Sequence, residues 1–274
     1  MVAREMMDCP AKINLYLRVN GKREDGYHEL ETVFQTIDLS DRLGWHPDGP
    51  WQFSVSGGPD YGDDELVCRA ARAYAAKAGI PLRGHAHLIK RIPAGAGLGG
   101  GSSDAAGMLK LLNREYNALN FEQLQDVALG LGSDVPFFLT GGRQWGVGRG
   151  EALLPCTWRL AVSGGFILLP DFQLSTAIVF KALQAPPCED GKKMPLPDEA
   201  ELGRNDLFEP ACQTEPALKN IARAIQSVVA PEPFFMSGSG SSLVWLTDEK
   251  KLPSNLVLTL RHYRVTPLPF RLVT

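Results

Sequence analysis

Several features that mark other classes of protein are missing from this sequence. Its apolar runs are short, as at Phe166–Leu169, so no segment approaches the ~20 residues that span a bilayer. The N-terminus lacks the basic start, apolar stretch and small-residue cleavage site of a signal peptide. The five cysteines are an odd number without a CxxC pair, which argues against a disulfide scaffold or a zinc site. We therefore expect a cytoplasmic protein.

An excess of charge of one sign is also missing. The 28 basic and 31 acidic residues give a net charge of −3, so no basic field exists to attract nucleic acid or anionic lipid. With 44% hydrophobic residues, the 274-residue chain can bury a sizeable core, in one large domain or two modest ones. We expect small-molecule partners, with no nucleic acid and no membrane. Both a monomer and a homodimer fit the sequence.

Hydrophobic periodicity predicts a mixture of strands and helices. Strict alternation over residues 11–19 predicts a half-buried strand, with Lys12 and Asn14 on its polar face. Ser102 or Ser103 is expected to cap a helix that ends near Tyr116. Further strands are predicted within 27–39, over 85–92 and at 166–169, and further helices over 64–78, 121–131, from 133, over 175–183 and over 216–229.

One glycine-rich stretch stands out as a candidate ligand-binding loop. Its glycines allow backbone N–H groups to approach a ligand closely, and the helix that follows offers unpaired donors and a partial positive charge. Together these features predict a phosphate cradle rather than an ordinary tight turn. The residues predicted to bind the phosphates are Pro93, Ala94, Gly95, Ala96, Gly97, Leu98, Gly99, Gly100, Gly101, Ser102 and Ser103.

Two common phosphate loops fit this stretch poorly. A Walker A loop requires a lysine before its Ser or Thr, and this loop contains none. The dinucleotide pattern GxGxxG is matched by Gly95, Gly97 and Gly100, but the preceding strand alternates with polar residues, whereas a parallel sheet favours a continuous apolar strand. The acid about twenty residues further on, Glu122, falls inside a helical pattern. A dinucleotide-binding fold is therefore disfavoured.

A third type of loop matches along its whole length. The stretch resembles the PxxxGLGGGSS loop of the galactokinase, homoserine kinase, mevalonate kinase and phosphomevalonate kinase (GHMP) superfamily. Pro10–Leu15 resembles the N-terminal substrate strand of that superfamily, and Met236–Ser241 resembles its C-terminal glycine-rich motif. Three separated motifs in the right order are a specific signal.

The resemblance implies a fold and a cofactor. The expected fold class is α+β, with a ribosomal-protein-S5-domain-2-like N-terminal domain over 1–155 that binds ATP and a ferredoxin-like C-terminal GHMP kinase domain over 156–274. The glycines of 141–150, followed by Pro155, place the boundary there. The N-terminal domain of the superfamily contains a left-handed βαβ crossover, against the usual rule. ATP is the expected phosphate donor, with Mg²⁺ beside it; Ser102 or Ser103 could approach the metal, and no acidic ligand can be assigned.

Two further stretches distinguish members of the superfamily. Arg23–Leu30 and Gly132–Phe138 closely resemble the 4-diphosphocytidyl-2-C-methyl-D-erythritol kinases. These enzymes use ATP to phosphorylate the 2-hydroxyl of a CDP-linked sugar alcohol in the non-mevalonate route to isoprenoids. The resemblance implies that Asp134 is the catalytic aspartate and that Lys12 contacts the reacting hydroxyl. Asn14 lies about 7 Å from Lys12 on the same strand face, a spacing that suits two contacts to one substrate.

The same resemblance implies how the two nucleotide ends are bound. Tyr27 is expected to stack on cytosine, His28 to hydrogen-bond its polar edge, and Phe180 to close the other side. Lys90, just before the loop, matches a residue near ATP. Two alternatives remain open: another alcohol kinase of the superfamily, acting on homoserine or mevalonate, and a catalytically silent nucleotide-binding homologue.

Overall fold

A computed structural model describes residues 5–59, 62, 65–188 and 195–273. The strands are β1 (Glu5–Lys22), β2 (His28–Pro50), β3 (Gln52–Ser56), β4 (Arg83–Ile89), β5 (Arg143–Gly148), β6 (Ala152–Pro155), β7 (Gly164–Pro170), β8 (Phe234–Met236), β9 (Leu243–Leu246) and β10 (Val265–Arg271). The helices are α1 (Leu66–Ala78), α2 (Gly100–Tyr116), α3 (Phe121–Leu131), α4 (Val135–Thr140), α5 (Thr176–Ala182), α6 (Phe208–Thr214), α7 (Pro216–Val229) and α8 (Ser254–His262). Most of the predicted elements are therefore confirmed.

The first sheet is built around the long strand β2. Its order is β3-β4-β2-β5-β6, with β1 also paired to β2. The neighbours along this order are antiparallel except for β3 and β4, which run parallel and are joined in the chain through α1. This β3–α1–β4 segment is where the left-handed crossover is expected, and its handedness stays a prediction.

The second sheet has the order β10-β7-β9-β8, and every adjacent pair is antiparallel. Numbered within this half of the chain, the strands are arranged 4-1-3-2, with helices between the first and second strands and between the third and fourth. This is the β-α-β-β-α-β arrangement of a ferredoxin-like domain, as expected. Helix α7 buries one apolar stripe, formed by Leu218, Ile221, Ile225 and Val229, in agreement with its predicted periodicity.

The chain divides into two compact units that interleave along the sequence. Unit 1 contains the described residues of Met1–Ala11, Leu39–Pro93 and Gly99–Gly141. Unit 2 contains Lys12–Asp38, Ala94–Leu98 and the described residues of Gly142–Thr274. The boundary predicted at 155/156 cuts the sequence at a single point, whereas each of these units is made of several chain segments. The predicted boundary therefore stays a prediction. The glycine-rich loop contributes residues to both units.

Strand β1 is more deeply buried than its alternation predicted. Residues 11–17 are all buried, so the prediction of a half-buried strand was wrong. One reason lies at the second edge of the strand, where the amides of Gly203 and Leu17 donate hydrogen bonds to the carbonyls of Leu15 and Arg204. Alternation shows which side chains share a face, but it does not reveal whether another segment covers the polar face.

The predicted serine cap of the helix that ends at Tyr116 was also wrong. Gly99, with φ of +72°, is the residue at the N-terminal cap of α2, and Ser102 and Ser103 lie inside its first turns. Asp134 occupies the corresponding position of α4, and neither helix has a side-chain cap. The backbone of Gly99 turns into the helix in a left-handed conformation that glycine adopts without strain.

No helix among the described residues combines the length and the apolar composition needed to cross a membrane. None of the five cysteines, all of which lie among the described residues, forms a disulfide bond.

Candidate active site

Lys12 and Asn14 form a fixed polar pair on the buried part of β1. The side chains are 4% and 3% exposed, and Lys12 Nζ donates a 2.7 Å hydrogen bond to Asn14 Oδ1. Asn14 Nδ2 in turn donates to Thr32 Oγ1 at 2.7 Å, and Lys12 Nζ lies 5.6 Å from the centroid of the Phe34 ring. Because burying a lysine and an amide is costly, this arrangement is typical of a functional site.

The two glycine-rich motifs meet this pair within unit 2. The Lys12 amide donates to the carbonyl of Leu98 at 3.0 Å, and Ser237 Oγ donates to the carbonyl of Gly97 at 3.3 Å. Gly238 has φ of +56°, and a Cβ atom there would lie 3.4 Å from Lys12 Nζ and 3.3 Å from Asn14 Oδ1. Three motifs separated by up to 220 residues in the sequence are therefore in direct contact, as their joint resemblance implied.

Within unit 1, the rest of the loop forms the start of α2. The Ser103 amide donates to the Gly99 carbonyl at 2.9 Å, while the preceding N–H groups of a helix have no intrahelical acceptor. Ser103 Oγ is buried and has no hydrogen-bond partner among the described residues. Free backbone donors at a helix N-terminus and an unsatisfied hydroxyl fit a phosphate group and its cation.

Lys90 is held by two buried carboxylates of unit 1. Its Nζ donates to Asp41 Oδ2 at 2.5 Å and to Asp104 Oδ2 at 2.7 Å. The other oxygen of Asp41 accepts hydrogen bonds from the amides of Arg91 and Ile92. Burial, reinforced by the charge of Asp41 and opposed by that of Lys90, raises the pKa of Asp104 to about 7. Two carboxylates thus share one ammonium group, and the role of Lys90 in binding ATP stays a prediction.

The residues predicted to bind the cytosine lie in unit 2. Tyr27 is 53% exposed, whereas His28 and Phe180 are half-buried. The rings of His28 and Phe180 are 5.1 Å apart and inclined by 31°. Burial and the nearby charge of Lys22 lower the pKa of His28, so its imidazole is neutral at pH 7 and can both donate and accept a hydrogen bond. The stacking of Tyr27 and Phe180 around a base stays a prediction.

Asp134 lies in unit 1, half-buried, immediately before α4. That helix packs against α2 and α3. Asp134 therefore belongs to a well-packed part of the unit that also holds the second half of the loop.

Sequence patterns missed several polar residues of the site, namely Thr32, Asp41, Asp104 and Ser237. Asp104 directly follows the loop motif and Ser237 lies within the C-terminal glycine-rich motif, so the motifs are a signal that could have identified both residues. Thr32 and Asp41 carry no local signal, because their partners, Asn14 and Lys90, are distant in the sequence.

The histidines of β4 are engaged in hydrogen bonds. His85 Nε2 and His87 Nδ1 lie 3.0 and 2.9 Å from the Ser54 hydroxyl. Over the described residues, no group of three or more His, Cys, Asp or Glu side chains could hold a metal ion.

Comparison with known proteins agrees with the geometry. The family described as "GHMP kinases N terminal domain" matches residues 65–142. A 4-diphosphocytidyl-2-C-methyl-D-erythritol kinase of Halorhodospira halophila is 40% identical over 239 residues, which cover 85% of this chain and 81% of that protein. The enzyme of the same name from Burkholderia mallei is 38% identical over 262 residues, covering 88% and 85%. The chain belongs to the 4-diphosphocytidyl-2-C-methyl-D-erythritol kinase family. It is a kinase of the GHMP superfamily.

Solved structures bear out both the family and its fold. A crystal structure of 4-(cytidine 5'-diphospho)-2C-methyl-D-erythritol kinase superposes with a TM-score of 0.73 and 34% identity, covering 97% of this chain and 99% of that one. The mevalonate kinase of Methanococcus jannaschii superposes with a TM-score of 0.67 over 98% of both chains. Since it is only 14% identical, it shows the fold alone. The two-domain α+β GHMP-kinase fold expected from the motifs is confirmed.

Proposed function

We propose that this kinase transfers the γ-phosphoryl group of ATP to the 2-hydroxyl of 4-diphosphocytidyl-2-C-methyl-D-erythritol, a step of the non-mevalonate route to isoprenoids. The observation that supports it most is the contact of the Lys12–Asn14 pair with both glycine-rich motifs: the Lys12 amide donates to the Leu98 carbonyl, and Gly238 closely approaches both side chains. Through this contact, a buried ammonium group and amide that suit an alcohol substrate lie next to a loop that suits phosphate.

Phosphoryl transfer to an alcohol needs a positioned hydroxyl and a group that accepts its proton. We assign the first task to Lys12, whose ammonium is held in place by Asn14, and the second to Asp134. Because the transition state is loose, the attacking oxygen loses its proton late. Asp134 therefore orients the hydroxyl first and accepts its proton second.

ATP supplies the phosphoryl group, and its phosphates are assigned to the backbone of residues 93–103. The helix α2 is long enough to present a full set of N-terminal donors, and the unsatisfied Ser103 hydroxyl suits a cation that accompanies the phosphates. We assign Mg²⁺ to this position, next to Ser102 or Ser103. Lys90 and its carboxylates support the start of α2.

The cytidine end of the substrate is assigned to Tyr27, His28 and Phe180. An exposed tyrosine ring can stack on a base, and a neutral imidazole can read the polar edge of the base. Substrates such as homoserine and mevalonate carry no base, so these three residues favour the CDP-linked alcohol. A cytoplasmic location and a monomeric or homodimeric state remain predictions from the sequence.

The test is an assay of ADP release with ATP and a panel of alcohols that includes the CDP-linked one, homoserine and mevalonate. We expect turnover with the CDP-linked alcohol alone. Turnover with mevalonate or homoserine instead would assign the chain to another kinase of the superfamily. ATP binding without turnover on any alcohol would indicate a silent homologue.

The assignment of Asp134 has its own test. The variant Asp134→Asn keeps the shape of the side chain but removes the proton acceptor, so kcat should fall by at least ~10²-fold with a much smaller change in KM. The control is Asp126→Asn, which removes an exposed carboxylate from α3 of the same unit and should leave kcat unchanged. If Asp134→Asn retained half of its turnover, Asp134 would have only a structural role.

A further inference from the structure

The exposed ring of Tyr27 is covered on one side by an arginine that no motif singled out. The guanidinium carbon of Arg149 lies 4.6 Å from the centroid of the Tyr27 ring. Arg149 lies in the turn between β5 and β6, and the pairing of Gly148 with Leu30 brings this turn next to the start of β2, where Tyr27 lies. Arg149 and Tyr27 both belong to unit 2.

The arginine is itself held in place by its own turn. Glu151 accepts a 2.6 Å hydrogen bond from the Arg149 amide through Oε2, and its Oε1 lies 3.6 Å from Arg149 Nε. Gly148 and Gly150 flank Arg149 with φ of +78° and +97°, so the turn has a backbone that favours glycine on both sides. The Arg149 side chain is only 24% exposed. It is therefore a fixed support rather than a mobile surface charge.

A planar guanidinium can stack on one face of an aromatic ring, and this contact leaves the other face open. Tyr27 as a residue is 53% exposed even with Arg149 against one face of its ring, so a flat base can still reach it. A ring that is already held in place loses less conformational freedom when the base binds, which improves affinity without a new contact to the ligand. Tyr27 and Arg149 thus have the geometry of a base-stacking ring with a support behind it.

We propose that Arg149 is a specificity-determining positioning residue, which holds the Tyr27 ring for stacking on the cytosine of the substrate. The proposal rests on the proposed function, because it takes Tyr27 to be the ring that meets the base. Arg149 acts through Tyr27 and does not touch the reacting hydroxyl or ATP.

The test is a double-mutant cycle between Arg149→Gln and Tyr27→Ala, measured as KM and kcat for the CDP-linked alcohol. A cation–π contact at an exposed site corresponds to a factor of roughly 2–5. We expect Arg149→Gln to raise KM for the alcohol by this factor and to leave kcat and the KM for ATP unchanged. In the Tyr27→Ala background, the same change should have no further effect. In Tyr27→Phe, which keeps the ring, the effect of Arg149→Gln should persist.

The alternative is that Arg149 binds the diphosphate of the substrate directly. The double-mutant cycle distinguishes this role from support of Tyr27. In that case Arg149→Gln would raise KM equally in the Tyr27→Ala background and would weaken inhibition by inorganic pyrophosphate, and either result overturns the proposal. An unchanged KM in Arg149→Gln overturns it as well. Arg149→Lys, which keeps the charge but not the planar group, should raise KM, and full activity of this variant would contradict a stacking role.

Two controls keep the outcomes distinct. Arg159→Gln removes an exposed arginine of the same unit and should not change KM, and the melting temperature of every variant shows that it is folded. If the wild-type protein does not turn over the CDP-linked alcohol, the proposed function fails before any variant is compared. If it does, and the cycle shows no coupling, only the role of Arg149 fails.

Discussion

The two halves of the glycine-rich loop are held by different forces. In residues 94–98, neutral hydrogen bonds dominate: the carbonyls of Ala96, Gly97 and Leu98 accept from Ser242, Ser237 and Lys12. In residues 99–104, the principal support is the buried ion cluster of Lys90 with Asp41 and Asp104. The first half therefore depends on the close approach of uncharged backbone, and the second half on electrostatics. A substitution that adds bulk should therefore act mainly on the first half, and a substitution that removes charge mainly on the second half.

The largest effect is expected from removing the cation of the second half. Lys90→Met leaves Asp41 and Asp104 buried without their ammonium group, and breaking a buried ion pair in this way costs about 3–5 kcal/mol of unfolding free energy. The measurement is urea denaturation at pH 8. The control Lys77→Met removes an exposed lysine at the end of α1 and should leave stability unchanged. Equal stabilities of the two variants would mean that the cluster does not hold this half of the loop.

A steric change should act most strongly on the first half. Gly97 has φ of +74°, and a Cβ atom there would overlap the carbonyl oxygen of Ser237. Gly97→Ala should cost about 2–4 kcal/mol, from the left-handed backbone and the overlap together. The matched control in the second half is Gly101→Ala. Gly101 is helical, and its nearest neighbour is the Leu66 side chain at 3.3 Å, so this change should stay within about 1 kcal/mol.

A large cost for Gly101→Ala beside a small one for Gly97→Ala would reverse the comparison. Both melting curves should be measured without ligand, so that any loss of ATP affinity in Gly101→Ala can be attributed to the binding site and not to the fold.

The sequence predicted the loop but not this division of forces. Periodicity and the glycine run placed β1, α2 and the loop correctly, because these signals are local in the chain. Alternation could not show that Lys12 and Asn14 are buried, since part of what covers them, Gly238 and its motif, comes from a distant part of the sequence. The sequence did not predict the cluster of Asp41, Lys90 and Asp104 for the same reason, because its members come from three separate segments of the chain and no spacing between them indicates a contact.

The candidate site shows the same limit. The motifs identified Lys12, the loop and Gly238 because those residues belong to a resemblance that spans the chain. Arg149 lies outside every motif quoted for that resemblance, and its contact with Tyr27 depends on the register between β2 and β5. A pairing register is set by the whole sheet and cannot be inferred from one short segment.

A smaller loss of stability is expected from removing a single neutral hydrogen bond of the first half. Ser237 Oγ accepts from the Asn14 amide at 3.2 Å and donates to the Gly97 carbonyl. Ser237→Ala should cost about 1 kcal/mol, the usual net value of such a bond, and the loss should not vary with pH. Ser242→Ala is the control, because the hydroxyl of Ser242 is buried without a partner among the described residues and its removal should not destabilise. A loss that grows with pH in Ser237→Ala would show that charge also matters in this half.

The last test of the comparison is how the unfolding free energy depends on pH through Asp104, in the second half of the loop. The pKa of Asp104 is raised to about 7, above its unfolded value near 4, so between these limits the folded form binds one more proton than the unfolded form. Wild-type stability should therefore fall as pH rises from about 4 to 7, by at most about 1.4 kcal/mol per pH unit. The pKa of Lys90 is raised above its usual value near 10.4, so Lys90 stays charged throughout and adds no slope.

Asp104→Asn removes this titration and keeps an amide of the same shape. The stability of the variant relative to wild type should increase steadily from pH 5 to pH 7.5 in urea denaturation, whereas Asp126→Asn, an exposed acid of the same unit, should show no such trend. A relative stability that is flat over this range would mean that Lys90 keeps Asp104 ionised at every pH. In that case the two carboxylates would both be charged in the native state over this range, and the second half of the loop would be held by an ion triad with Asp104 fully ionised.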